Sequence, residues 1–242
     1  MEFKPFPKMA RLSREAIITE KLDGTNAQIF ITPVIDENQT DLVVAHKPLE
    51  TGGGLAMLVG SRTRWITPGK STDNYGFAEW VRQNAEELFK LGPGQHFGEW
   101  MGCGINRSYN LSERRFYLFN TSRWFSKNGI GVFSTQIENE GFTRTEVEGP
   151  RCCYVVPTLW RGVFTTEAVD HALLRLGCGS IAVPGFLNPE GVVVVHIASG
   201  QLFKKTLIND ESPKGVGGLT HPGRPISPGG ENWIHGDDLR QR

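Results

Sequence analysis

Short β-type runs, punctuated by glycine, proline and asparagine, constrain the fold of this chain more than any other feature. They are Ala16–Thr19, Asn26–Thr32, Asp41–Ala45, His96–Trp100, Arg115–Asn120, Arg151–Val156, Gly191–Ile197 and Leu202–Leu207. Runs this short, rich in Val, Ile and Phe and bounded by turn formers, read as strands. Two stretches read as helices instead. Phe77–Leu91 sets Phe77, Trp80, Val81, Ala85, Leu88 and Phe89 on one face, follows Asp73 and Asn74, and stops at Gly92-Pro93-Gly94. Thr166–Leu176 carries a threonine cap, Glu167 in its first turn and Gly177 at its end. Many strands and few helices, without strict alternation, predict an α+β fold on antiparallel sheets.

A chain of 242 residues can form one large domain with a small appendage. Residues 1–210 are expected to be that domain. From Glu211 to Arg242 there are seven glycines and four prolines with little periodicity, so an irregular tail is expected there. Basic and acidic residues balance at 26 each, which argues against coating nucleic acid over the whole surface and leaves room for a local basic site. No run approaches the roughly 18 apolar residues of a membrane span, and no early segment has the form of a secretion signal. A cytoplasmic protein without membrane contact is expected. Cys103, Cys152, Cys153 and Cys178 lack metal-site spacing and are expected to be reduced, structural thiols.

The residues that can carry chemistry come in ordered segments. Lys21 ends a β-type run just before Asp23-Gly24, so it projects from a strand edge. Such a lysine is a solvated side chain, or a nucleophile where burial or a nearby cation favours the neutral amine. Ser61-Arg62-Thr63-Arg64-Trp65 offers guanidinium groups suited to bidentate phosphate contact. His96–Trp100 places the Glu99 carboxylate near a strand end, and Arg115–Asn120 supplies aromatic faces able to stack a base. Glu190 stands just before four valines, at the mouth of a buried strand. Lys204 and Lys205 close the series. Taken singly, each segment reads better as a surface ion pair, a core aromatic or a solvated lysine.

Together, and in this order, they resemble the covalent nucleotidyltransferase superfamily of polynucleotide ligases and capping enzymes. Glu20–Asn26 resembles motif I and Ser61–Trp65 motif Ia. Phe97–Tyr109 resembles motif III, Phe116–Asn120 motif IIIa, Pro189–Val194 motif IV and Phe203–Lys205 motif V. The forms of motifs I and III look closest to the RNA ligase 2 type and its phage relatives. The resemblance implies an adenylation domain of two antiparallel β-sheets with flanking helices, and ATP in the cleft between them. It implies Lys21 as the nucleophile, Glu20 and Asn26 near the nucleotide, and Arg62 on its sugar or phosphate. Glu99 would hold the ribose or a metal-bound water, Phe119 would stack on adenine, and Glu190 would help position the metal. Lys204, with Lys205, would hold the α-phosphate. The implied metal is Mg²⁺, with Mn²⁺ as a substitute, held by Glu99 and Glu190 through water. Two departures stand out. Motif V is usually Lys-x-Lys, whereas here the two lysines are adjacent, and Asn120 stands where many relatives carry Asp.

The implied activity is ATP-dependent joining of 3′-hydroxyl and 5′-phosphate ends through a lysyl-AMP and an adenylylated 5′ end, as in RNA repair. RNA ends or a nicked duplex are the expected partners, with RNA favoured over DNA. A minimal nick-sealing DNA ligase and a nucleic-acid end-binding module without sealing activity are the alternatives. Neither an oligonucleotide-binding barrel nor a helical ligase domain is expected after Lys205, which disfavours a capping guanylyltransferase. Gly104–Lys127 carries Arg107, Arg114, Arg115, Arg123 and Lys127 against Glu113, with aromatics interleaved. Its outward members, Arg107 and Arg123 first, are expected to grip phosphates near a strand end.

Overall fold

The computed structural model describes residues 2–33, 41–127, 129–138, 143–208 and 210; the expected tail over 211–242 lies outside them. The strands are β1 (Glu15–Lys21), β2 (Thr25–Pro33), β3 (Val43–Pro48), β4 (Gly54–Ser61), β5 (Trp65–Ile66), β6 (Gly94–Gly102) and β7 (Arg114–Leu118). There follow β8 (Phe125–Lys127), β9 (Ile130–Glu138), β10 (Thr143–Glu148), β11 (Cys153–Val155), β12 (Thr158–Val163), β13 (Gly191–His196) and β14 (Gln201–Thr206). Three helices accompany them: α1 (Phe77–Gln83), α2 (Ala85–Leu88) and α3 (Thr166–Gly177).

These strands form two principal sheets and, with few helices beside them, make an α+β fold. The smaller has the order β12-β1-β13-β14 and the larger β11-β7-β6-β2-β4-β3, with β5 on β4. A third sheet, β10-β9-β8, packs against β11, with Val132 of β9 in the core of the larger sheet. Pairing is antiparallel except between β7 and β11, which run parallel. That exception follows from the chain: β8–β10 separate the two strands and supply the long crossover that a parallel pair needs.

Alternation along the strands decides which side chains meet. Ala27, Ile29 and Ile31 of β2 point to a core shared with Phe77, Ala78 and Val81 of α1 and with Trp100, Phe116 and Leu118. On the smaller sheet, Ala16, Ile18, Val192 and Val194 pack against Ala168, Val169, Ala172 and Leu176 of α3. A third cluster joins the sheets, drawing Leu22, Met101, Tyr109, Tyr117, Val156, Val183 and Phe186 together. Among the described residues the chain passes from the smaller sheet to the larger at 22–24 and returns at 156–157. The passages lie side by side, with Glu20 N–H donating to the Pro157 carbonyl (3.0 Å) and Val156 N–H to that of Leu118 (3.1 Å).

Helix α3 matches its sequence expectation, with the cap one residue earlier: Thr165 Oγ1 accepts from Ala168 N–H at 3.1 Å. The single helix expected over Phe77–Leu91 is instead α1, α2 and a 3₁₀ turn at Phe89–Leu91. The break falls at Asn84, whose side-chain amide donates to the Trp80 carbonyl at 2.8 Å. Asparagine competes in this way with the backbone for helical acceptors. The bend still leaves Leu88, Phe89 and Leu91 buried against the sheet.

Candidate active site

Lys21 is the last residue of β1, opposite Gly191 of the neighbouring β13. Its Nζ donates to Glu190 Oε2 at 2.6 Å, and Glu190 is only 2% exposed. Alternation places Lys21 on the face away from α3, because Ile18 lies on the α3 side. The same rule separates the adjacent lysines of β14. Lys205 pairs with Val192, a member of the α3 core, and its Nζ approaches Asp170 Oδ1 of α3 at 3.6 Å. Lys204 pairs with Val193 and so shares the face of Lys21. The structure therefore brings Lys204 to the Lys21 face and turns Lys205 away from it.

The larger sheet contributes the opposing wall. Asn26, Glu99 and Tyr117 are cross-strand neighbours on the face of β2, β6 and β7 that lies away from α1. Glu99 Oε1 accepts from Gly24 N–H at 3.0 Å. Burial pushes its carboxyl up to about 7, opposed by that hydrogen bond and by the Lys21 charge, and supported by the charges of Glu190 and Asp23. Gly24 is needed here for space: a Cβ at that position would meet the Trp100 carbonyl oxygen at 2.3 Å. Phe119 follows β7 on the same face and is 38% exposed, next to Phe97, whose carbonyl accepts its N–H at 3.0 Å. Phe97 is 43% exposed and gives this face a second aromatic that the motif reading passed over. Its alternation with Gly98 and Glu99 was the available signal. Arg62 is exposed in the turn after Ser61, which pairs with Ala27, so it rises at the Asn26 end of the sheet.

Glu20 faces the other way from Lys21. Its buried carboxylate accepts from Ser180 Oγ (2.5 Å) and from the backbone N–H groups of Ile181 (2.8 Å) and Ala182 (2.9 Å). Burial raises its pKa, and those three donors act against the rise. Glu20 thus anchors the segment that leads from α3 towards Glu190.

The two arginines expected to grip phosphate occupy different environments. Arg107 is drawn into the site: Nε contacts Asp23 Oδ2 and Nη1 donates to the Asn188 carbonyl, both at 2.9 Å. Asn106 Nδ2 donates to Asp23 Oδ1 (3.1 Å) and to the Gly24 carbonyl (2.5 Å), and Asp23 N–H donates to the Tyr109 hydroxyl (2.9 Å). Arg123 stacks on Trp124 with its guanidinium 4.8 Å from the ring and donates to the Leu91 carbonyl. Trp124 belongs to the α1 core, so Arg123 stands on the opposite side of the larger sheet from Glu99.

Lys21, Lys204, Glu190, Glu99 and Asn26 thus line facing walls, with exposed aromatics beside them. The set offers cations that can engage phosphate and exposed rings that can stack on a planar group. Two carboxylates at Lys21 suit a hard cation that keeps most of its water; no group of three or more His, Cys, Asp or Glu residues able to hold a metal occurs among the described residues. A cavity of about 340 Å³, bounded by Leu12, Phe164, Val169, Phe203, Lys204 and Lys205, lies at the smaller sheet beside α3. The four cysteines are free, and no described helix is long and apolar enough to cross a membrane.

Against known proteins, the RNA ligase family model matches residues 14–206. Among solved structures the chain is similar to an arginine-to-alanine mutant of the Naegleria gruberi RNA ligase with ATP and Mn. The identity is 18% and the TM-score 0.46, over 81% of this chain and 50% of that one. It is also similar to a lysine-to-methionine mutant of that ligase with AMP and Mn, at 16% identity and a TM-score of 0.45, with the same coverage. The chain spans about half the length of these structures. No curated protein matches it.

Proposed function

The chain belongs to the RNA ligase family, and on that premise we propose that it is an ATP-dependent RNA ligase working through a lysyl-AMP on Lys21. The observation that carries this reading is the meeting of Lys21, Glu190 and Glu99 where the two sheets join. ATP is the substrate of the first step, lying between the sheets with its adenine against Phe119 and Phe97. Lys21 Nζ attacks the α-phosphorus, an N–P bond forms and pyrophosphate leaves.

An ammonium has no lone pair, so Lys21 must shed a proton before attack. Glu190 Oε2, at 2.6 Å, is in reach of it, and Glu99 is a second carboxylate close enough for its charge to interact with that of Lys21. Lys204, on the Lys21 face, and Arg62, in its exposed turn, would offset the charge that builds on the phosphate oxygens. Glu99 and Glu190 are the carboxylates that would hold a Mg²⁺ ion, or Mn²⁺ in its place, as hard oxygen donors. When bound, that ion supplies positive charge at the phosphates and disfavours the ammonium. The AMP then passes to a 5′-phosphate, and a 3′-hydroxyl attacks that activated end, forming the phosphodiester and releasing AMP. RNA ends or a nicked duplex are the proposed substrates.

The test is a denaturing gel after incubation with ATP labelled at the α-phosphate. Wild type should carry label and Lys21→Ala none; equal label on both would end the assignment. Nicked duplexes with RNA or DNA on either side of the break then separate an RNA ligase from a DNA ligase, and end binding without label on the wild type identifies an end-binding module.

A further inference from the structure

Arg107 brackets the Lys21–Glu190 pair. One partner, Asp23, lies two residues after Lys21; the other, the Asn188 carbonyl, lies two residues before Glu190. One guanidinium therefore ties the end of β1 to the start of β13 just outside the pair. Only arginine has a planar fork that serves two acceptors in fixed directions.

The loop that presents it is held in a costly shape. Asn106 (φ 43°), Ser108 (56°), Tyr109 (53°) and Asn110 (55°) all occupy the left-handed region, which serine and tyrosine seldom adopt. Such backbone persists where its surroundings over-determine it, and it concentrates at functional sites. Several side-chain restraints on this loop converge on residues 23–24. Tyr109, fully buried in the cluster that joins the sheets, accepts from Asp23 N–H, and Asn106 binds Asp23 and Gly24.

We infer that Arg107 is a positioning residue for the Lys21 nucleophile, acting through Asp23 and the Asn188 carbonyl, with Tyr109 and Asn106 as its supports. The inference rests on the reading of Lys21 as the adenylylated residue. Arg107 sets where the amine stands relative to Glu190 and does not itself bind ATP. Its loss should slow adduct formation and leave the KM for ATP nearly unchanged.

Single-turnover adduct formation, measured over a range of ATP concentrations, tests this. Arg107→Ala should lower the maximal rate by about 100-fold, the cost typical of misplacing a reacting group by about 1 Å. Arg107→Lys, which can reach Asp23 but cannot fork, should recover part of that loss. Tyr109→Phe removes one oxygen from a ring that stays buried and should lower the rate by about three- to tenfold; together with Arg107→Lys it carries the test if Arg107→Ala does not fold. Wild-type rates in folded Arg107→Ala overturn the inference, and so does a rate loss that matches the loss of folded protein. An unlabelled wild type overturns the Lys21 reading and this inference with it, an outcome distinct from either.

Discussion

Lys21 Nζ and Glu190 Oε2 stand 2.6 Å apart although 169 residues of chain separate them. The contact follows from the register: β1 and β13 are neighbours, and Lys21 faces Gly191. Removing one member takes that contact from the other where water is scarce. Lys21→Met should destabilise the protein by about 1–3 kcal/mol, less than the ~3–5 of a fully enclosed pair because Lys21 keeps partial solvent access. Lys21→Met/Glu190→Gln should regain most of it. Urea unfolding of both variants checks this; a double variant no more stable than the single would show that the pair is not coupled.

Glu99 makes stability depend on pH. Burial holds its carboxyl up at about 7, against an ordinary value of 4.5. The native state therefore binds this proton more tightly than the unfolded chain. The resulting stabilisation is complete below about pH 4.5 and is lost as pH rises through about 7. Relative to Glu99→Gln in metal-free buffer, wild type should lose on the order of 2–3 kcal/mol across that window. A constant difference between the two proteins from pH 4 to 8 would contradict the burial argument.

Lys204 and Lys205 should separate in function as they do in space. Lys204→Ala should slow adduct formation sharply, since it removes a cation from the Lys21 face. Lys205→Ala should leave adduct formation near the wild-type rate and cost no more than about 1 kcal/mol of stability, as expected for a half-exposed ion pair. Parallel labelling of the two variants decides it, and equal defects would refute the assignment of faces.

Much of this was legible in the sequence because it rests on short-range rules. Short runs rich in Val, Ile and Phe between turn formers located β1, β2, β6, β7, β13 and β14, which carry Lys21, Asn26, Glu99 and Lys204 and adjoin Phe119 and Glu190. β4 went unread because Leu55, Ala56, Met57 and Leu58 are good helix formers and the run has little of the β-branched character that marks a strand. The sheet β8–β10 and strand β12 offered too little periodic apolar character to be read. The break at Asn84 depends on one side-chain hydrogen bond, which periodicity does not register. For Arg107 and Arg123 the charge was legible but not the address. Their partners, Asp23 and the carbonyls of Asn188 and Leu91, are fixed by long-range packing.

The two passages between the principal sheets lie side by side, at 22–24 and 156–157. Mechanically, that makes an axle: covalent linkage along one line resists sliding and yields most readily to rotation. Lys21 and Glu190 sit beside the axle, where a given rotation displaces atoms least, while β14 lies two strands out from it. A rotation about that line would move β14 most and change the Lys21–Glu190 spacing least.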